Sequence, residues 1–500
     1  MTTSFDLSRV LCDRVSLRRQ DPTAERAGLL LCSLPVPRSS TPPLNLDGRP
    51  ITNLPSGQGP APTTAVVAVD FTQPHGIIRA LNSVNLAPPL SVQKSGKDLN
   101  APYKALRIPY ARLHDAPLDN PGMRIVDIQH IFGNWDADAA DPNNYYFEQT
   151  DDYIRNCKEL GTDIIYRLGT SIEHSVKNYY AHPPKDYQKW TEICLNIIRH
   201  YNEGWAKGHE WNIHYWEIWN EPDIKPNMWS GSKEDYFRLY VTAAKQIKQR
   251  FPKVKVGGPA LAFLDEGYIA SFLTACQKEN APLDFFSWHS YNANLEAMVQ
   301  QPQRMRALLD KHGFAKSELH LNEWHYFPAD WRKLTSDPQY NKEMFDGPDG
   351  LNGIDGAAYI TAVLTLWQDT PLTMGNYYTA TFVWGLYQRS YAIPYKTYHS
   401  AWAFGQLLDY TNRVKAGTDT QSVTVLAGTN AAGDKALLIS AFQSDATVLE
   451  VNLAGADGTS LKIVRLDRDN DFVPVEAEYK NAKLVLNKPA GSAVFLVKLR

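Results

Sequence analysis

From about residue 76 to residue 405 the chain alternates short apolar runs with longer amphipathic stretches. That rhythm narrows the folds open to it more than any other property. Gly76–Leu86, Ala105–Leu113, Asp163–Leu168, Trp211–Asn220, Lys253–Val256, Phe285–Trp288, Glu318–Asn322 and Phe382–Trp384 read as strands. Between and after them, Tyr146–Leu160, Asp186–Trp205, Lys233–Arg250, Glu266–Lys278, Ala297–His312, Asp355–Gln368 and Lys396–Tyr410 read as helices. Lys233–Arg250 is the clearest of these. Ser232 stands as its cap and Glu234 and Asp235 lie in its first turn, where carboxylates face unpaired N–H groups. Repeated β-α units imply parallel strands with helices outside, and eight of them close into an α/β (β/α)8 TIM barrel. An open doubly wound sheet is the alternative, but no G-x-G-x-x-G follows the first strand.

The flanks have a different texture. Pro35, Pro37, Pro42, Pro43, Pro50, Pro55, Pro60 and Pro62 crowd one segment with Ser, Thr and Gly, so residues 1–75 read as an extended or strand-bearing segment packed on the rest. Beyond about residue 411 the helical period is gone. Val423–Leu426, Ala436–Phe442, Thr447–Asn452, Leu461–Leu466, Phe472–Glu478, Lys483–Leu486 and Ala493–Leu499 are short strands separated by Gly, Asn and Asp turns. They predict an accessory antiparallel β-sandwich over 406–500, structural or carbohydrate-facing, beside a catalytic barrel over 76–405.

In a barrel the chemistry sits at the C-terminal ends of the strands. The fourth strand ends at Asn220-Glu221-Pro222, because proline cannot donate to a sheet ladder. The second ends at Arg112-Leu113-His114-Asp115, the third near Glu173-His174, and the sixth at Trp288-His289-Ser290-Tyr291. The seventh ends at Asn322-Glu323-Trp324 and the eighth at Trp384. Singly each has a dull explanation, such as a capping carboxylate or a core tryptophan. Together they gather carboxyls, imidazoles, an amide, a phenol and indoles at one mouth. Two carboxyls on facing strands suit glycoside cleavage, one giving a proton to the leaving oxygen while the other attacks the anomeric carbon. Mutual repulsion raises the pKa of one and keeps it protonated. Asn220 would hold a sugar hydroxyl, Tyr291 would fix the nucleophile, and Trp384 would floor the subsite.

Arg112-Leu113-His114-Asp115 with Asp119, Trp216-Glu217-Ile218-Trp219-Asn220-Glu221-Pro222 and Trp288-His289-Ser290-Tyr291 carry a resemblance. The chain resembles clan A of the retaining glycoside hydrolases, and within it family 39, which includes β-xylosidases and α-L-iduronidases. The resemblance spans residues 76 to about 405 and, more weakly, the C-terminal sandwich. It implies Glu221 as acid/base and Glu323 as nucleophile, with His114, Asn220, His289, Tyr291, Trp324 and Trp384 facing substrate. The implied substrate is a pentose- or uronic-acid-containing oligosaccharide. The chain departs from the family at His114-Asp115, where many members have His-Gly, in the proline-rich segment, and in the long loop Trp331–Gly353.

A net charge of -3 with no basic stripe argues against nucleic acid, and no stretch approaches the roughly 20 apolar residues that span a bilayer. Met1-Thr2-Thr3-Ser4-Phe5-Asp6 lacks the pattern of a secretion signal, which fits a cytoplasmic protein or one whose leader is gone. Cys12, Cys32, Cys157, Cys194 and Cys276 are scattered, with no C-x-x-C pair. No HExxH or clustered His/Cys suggests zinc, and Asp346-Gly347-Pro348-Asp349-Gly350 lacks the spaced ligands of a calcium loop, so no metal or cofactor is expected. Two other functions fit the same mouth. A transglycosylase would pass the covalent intermediate to a sugar, and a catalytically weak carbohydrate-binding barrel would lack one carboxyl.

Overall fold

The structure is a computed structural model that describes residues 63–88, 99–116, 124–173, 176–380, 384–387, 393–456 and 460–499. Eight parallel strands close into a barrel in chain order: β2 (Ser83–Asn85), β3 (Tyr110–Leu113), β4 (Asp163–Leu168), β5 (Tyr215–Ile218), β6 (Lys255–Leu261), β7 (Phe285–Asn292), β8 (Glu318–Tyr326) and β9 (Met374–Tyr377). The strand preceding them, β1 (Thr64–Ile77), belongs to a second sheet. The helices Lys233–Arg250 and Glu266–Lys278 have the bounds the sequence predicts. Ser232 and Asp235 form a reciprocal cap on the first: the Ser232 hydroxyl accepts from the Asp235 N–H at 3.0 Å, and the Ser232 N–H donates to the Asp235 carboxylate at 2.9 Å.

Both ends of the barrel differ from expectation. The first barrel strand is only Ser83–Asn85, and Gly76 and Ile77 end β1 instead. The residues Ala65, Val67 and Val69 of β1 alternate into the core of the second sheet, which captures this segment. The eighth strand is Met374–Tyr377 rather than Phe382–Trp384. Met374-Gly375-Asn376-Tyr377 carries no apolar signature because its residues are fitted to neighbours. A Cβ on Gly375 would meet the Trp367 ring at 2.3 Å, and the Asn376 amide donates to the Val84 carbonyl inside the barrel at 3.1 Å. Phe382 and Val383 lie outside the described residues, and Trp384 lies beyond the strand. The segment predicted as a long loop over 331–353 contains two short helices, Trp331–Ser336 and Pro338–Asp346, capped by the Asp330 and Asp337 carboxylates.

The second sheet has ten strands. To β1 it adds β10 (Asn412–Thr418), β11 (Val423–Thr429), β12 (Lys435–Ser444), β13 (Val448–Ala454), β14 (Leu461–Leu466), β15 (Val473–Pro474), β16 (Glu478–Lys480), β17 (Lys483–Asn487) and β18 (Gly491–Leu499). Their order is β15-β14-β18-β12-β11-β10-β1-β13-β17-β16. Every pairing is antiparallel except β1 with β13. The sheet curls over its own apolar core, which includes Val67, Ile439, Leu449 and Phe495. The helix Ile354–Leu366 lies between sheet and barrel and is buried on all sides, hence its continuous run of apolar and small residues. The Asp355 carboxylate at its start accepts from the Ser492 hydroxyl at 2.5 Å and from the Gln443 amide at 2.9 Å, fixing the sheet to the barrel.

Candidate active site

Two local distortions aim the carboxyls. At the end of β5 the chain turns through left-handed conformations, with φ +74 at Trp219 and +46 at Glu221. Non-glycine residues hold such angles only where the surroundings fix them. Here the Trp219 N–H donates to the Leu168 carbonyl at 2.7 Å, the Glu221 N–H donates to the Ala260 carbonyl at 2.9 Å, and the Trp219 indole donates to the Met228 carbonyl at 2.9 Å. The second distortion is a bulge in β8. Leu321 pairs with Trp288 and Glu323 with the next residue, His289, so Asn322 is one residue too many. Asn322 and Glu323 therefore both reach into the barrel, where their side chains bond Glu217 and Arg112 respectively.

Arg112, fully buried on β3, ties the mouth together. Its Nε donates to Glu217 at 2.6 Å, Nη1 to Glu323 Oε1 at 2.8 Å and to Asn85 at 3.2 Å, and Nη2 to Asn220 Oδ1 at 2.6 Å. Glu217 is equally buried and also accepts from the Ser287 hydroxyl at 2.7 Å and from the Asn322 amide. Burial opposes the Arg112 charge, but Glu217 and Glu323 outweigh it and hold the guanidinium pKa above its ordinary value. Arg112→Ala is expected to lower stability by roughly 3–5 kcal/mol, since it strands the Glu217 charge in the barrel. Urea unfolding of the variant measures this, and a loss under about 1 kcal/mol would remove Arg112 from that role.

Above this layer lie the two glutamates. Glu323 Oε2 accepts from the Tyr291 hydroxyl at 2.7 Å, so both its oxygens have a fixed donor. Glu221 Oε1 shares a hydrogen bond with His289 Nδ1 at 2.7 Å, and the same nitrogen is 3.4 Å from Glu323 Oε2. One oxygen of each carboxyl and a nitrogen of His289 all lie within 4.8 Å of one another. Three such atoms could also take a cation, but Arg112 and Tyr291 already occupy the two Glu323 oxygens. Burial pushes Glu221 up to about 8, helped by the charge of Asp115 and opposed by Arg112 and Asn220. Glu323 is raised as well, again by burial first, with His289 and Arg112 pulling it down. Burial lowers His289 and keeps it neutral near pH 7. Asp223, just past Glu221, is raised by burial to about 6 and accepts from the N–H groups of Ala262 and Phe263 at 3.1 and 2.9 Å.

His114 also joins the site. Arg167 Nε donates to its Nδ1 at 3.1 Å, so the imidazole proton sits on Nε2, 3.5 Å from Asp115 Oδ2. Burial, then Arg167 and Arg112, hold this ring neutral. Trp384 stands 6.0 Å from Tyr291 between ring centroids, in an aromatic group with Phe327 and the half-exposed Trp331. Trp324 is not with them. After the bulge it turns to the helix side of β8, 1% exposed, and packs on Trp367 and Tyr377. Glu173 is a capping group that accepts from the N–H groups of Tyr179, Tyr180 and Ala181. His174 and Asp119 lie outside the described residues. The sequence quotes Arg112 and Glu217 within its motifs but does not reveal their pairing. The available signal is charge at inward positions of otherwise apolar strands.

Residues 130–404, more than half of the chain, match the sequence profile of the family described as Glycosyl hydrolases family 39. The chain belongs to that family. Among curated relatives, a β-xylosidase of Geobacillus stearothermophilus is 31% identical over 161 residues, 28% of this chain and 32% of that one. A β-xylosidase of Caldicellulosiruptor saccharolyticus is 29% identical over 203 residues, 40% of this chain and 39% of that one. The matched part thus spans well under two thirds of either relative. Among solved structures, a glucosidase from Croceicoccus marinus superposes with a TM-score of 0.70 at 22% identity, over 87% of this chain and 99% of its own. That likeness is one of fold.

Proposed function

We propose that this family 39 chain hydrolyses glycosidic bonds by double displacement, with Glu221 as acid/base and Glu323 as nucleophile. The proximity of the two carboxyls, with an oxygen of each within 4.8 Å, carries the reading. Retaining pairs stand about 5–5.5 Å apart, whereas inverting pairs stand about 6.5–9.5 Å apart to admit a water. Glu323, gripped by Arg112 and Tyr291, suits attack, because charged and phenolic donors stabilise its anion and fix its direction. Glu221, bonded to His289 and pushed by burial to about 8, suits proton delivery. With Glu221 protonated, its O–H donates to His289 Nδ1 and the imidazole proton sits on Nε2. That nitrogen and the Asn220 amide nitrogen are buried without hydrogen-bond partners among the described residues. They are the donors we assign to sugar hydroxyls, with Trp384 beneath the ring.

A pentose- or uronic-acid-containing glycoside is the proposed substrate, and β-xylosides come first because both curated relatives above are β-xylosidases. A panel of aryl glycosides should find the cleaved sugar. NMR of the first-formed product should then show the anomeric configuration of the substrate. Release of the opposite anomer before mutarotation would overturn the assignment of Glu323.

A further inference from the structure

On the outer helices, none of them on a strand tip, Asp151, His200 and His209 gather into a cluster the proposed mechanism does not use. Asp151 lies in the first turn of the helix Glu148–Glu159, His200 in the last turn of Tyr187–Glu203, and His209 in the loop that follows. His200 is 1% exposed. Its Nδ1 is 2.9 Å from the Trp205 carbonyl and its Nε2 is 3.0 Å from Asp151 Oδ1. A carbonyl only accepts, so Nδ1 carries a proton and Nε2 is the nitrogen that faces the carboxylate. His209 repeats the situation, with Nε2 3.3 Å from Asp151 Oδ2 and no hydrogen bond made by that nitrogen. One dication placed between the two nitrogens and the carboxylate would satisfy all three groups at once.

We infer that Asp151, His200 and His209 bind a divalent transition-metal ion, zinc by preference, that cross-links the two helices and the loop after the second. The spacing suits it. Ligand atoms about 2.1 Å from a tetrahedral zinc stand about 3.4 Å from one another, and the two nitrogens lie 3.0 Å from Oδ1 and 3.3 Å from Oδ2 of Asp151 respectively, one on each carboxylate oxygen. One donor atom from each of the three residues lies within 4.8 Å of the other two. The bond from His200 Nδ1–H to a backbone carbonyl is the outer contact that orients a ligating imidazole. The histidines are held together before any ion arrives. The His209 N–H donates to the His200 carbonyl at 2.6 Å, and a Cβ on Gly208 would meet that carbonyl at 2.2 Å, so only glycine permits the approach. Phe147 and Trp211 stack on the two imidazoles at 3.5 and 3.7 Å. No redox change is involved; any proton shared between Nε2 and Asp151 leaves to solvent as the metal binds.

The test uses the full chain, free of any polyhistidine tag, stripped with a chelator, reloaded with zinc alone and gel-filtered. Wild type should retain one zinc per chain by elemental analysis and unfold several degrees higher with zinc than without. Cobalt loading should give the visible bands of a tetrahedral ion. Asp151→Asn and His209→Gln should each weaken zinc by more than the roughly 10–100-fold that loss of an outer contact costs, and their unfolding should no longer respond to zinc. A wild type that retains no zinc and melts identically with and without it overturns the inference, whether or not the variants fold. So does zinc retained equally by wild type and both variants.

Discussion

Replacing Glu323 with alanine is expected to lower glycoside hydrolysis by on the order of 10⁴–10⁶-fold, the scale seen when a covalent nucleophile is removed. The fold should survive, because Arg112 keeps its bonds to Glu217, Asn85 and Asn220. Removing the carboxyl also removes a group that burial already pushes toward its neutral form. The alanine leaves a space beside Tyr291 into which a small anion such as azide fits. With an activated aryl glycoside, azide should restore part of the rate and give a glycosyl azide of inverted configuration. One displacement replaces two, so the stereochemistry is the decisive readout. A variant that keeps more than about a tenth of wild-type kcat would exclude Glu323 as nucleophile, since a tenfold change is only about 1.4 kcal/mol. Retained configuration in the azide adduct would exclude it too.

The second large effect belongs to Glu221. Glu221→Gln removes the proposed proton donor, and general acid catalysis is worth about 10²–10⁴-fold. Substrates with poor leaving groups should lose that much in kcat/KM, whereas activated aryl glycosides should lose far less in the glycosylation step. Equal losses for both would take Glu221 out of the role. The pH dependence follows from the sign of the shift. A carboxyl pushed to about 8 by burial carries its proton below that pH and loses it above. The alkaline limb of wild-type kcat/KM should therefore fall through about pH 8, and the limb should vanish in the glutamine variant. Stability has the same sign. Between the ordinary 4.5 and about 8, the folded protein binds a proton that the unfolded chain has released. Whatever the protonated Glu221 contributes is thus full at low pH and lost as pH rises through that window. Melting curves at both ends should show the glutamine variant gaining on wild type as pH increases.

The main parts of this architecture are visible in the sequence where side-chain pattern and backbone period agree. Lys233–Arg250 is such a case, with its Ser232 cap and acidic first turn. Glu221 stands out in the sequence because Pro222 ends a strand beside an amide and a carboxyl. Legibility fails where one extra residue changes direction. Nothing in Leu321-Asn322-Glu323-Trp324 announces the bulge that turns Asn322 and Glu323 inward together and sends Trp324 to the helices. It also fails where a residue is chosen to fit its neighbours, as at Gly375 under Trp367. The Arg112 cluster escapes a linear view because its partners come from β2, β5 and β8. Asp151 and His200 are likewise 49 positions apart and share no motif.

The position of β1 has a consequence for how the protein is made. Its hydrogen-bonding partners are β10 and β13, which begin at Asn412 and Val448. A ribosome adding about 5–20 residues per second needs on the order of tens of seconds to travel from β1 to those strands. Throughout that interval a stretch containing Ala65, Val66, Val67, Ala68 and Val69 is out of the tunnel with both edges unsatisfied. Such an apolar edge templates association with other nascent chains. Yield in a heterologous host should accordingly depend on holdase chaperones and on slow translation of other messages nearby far more than on the stability of the finished barrel. The same segment, supplied in trans as a peptide, becomes a candidate for donor-strand complementation of a chain that lacks it.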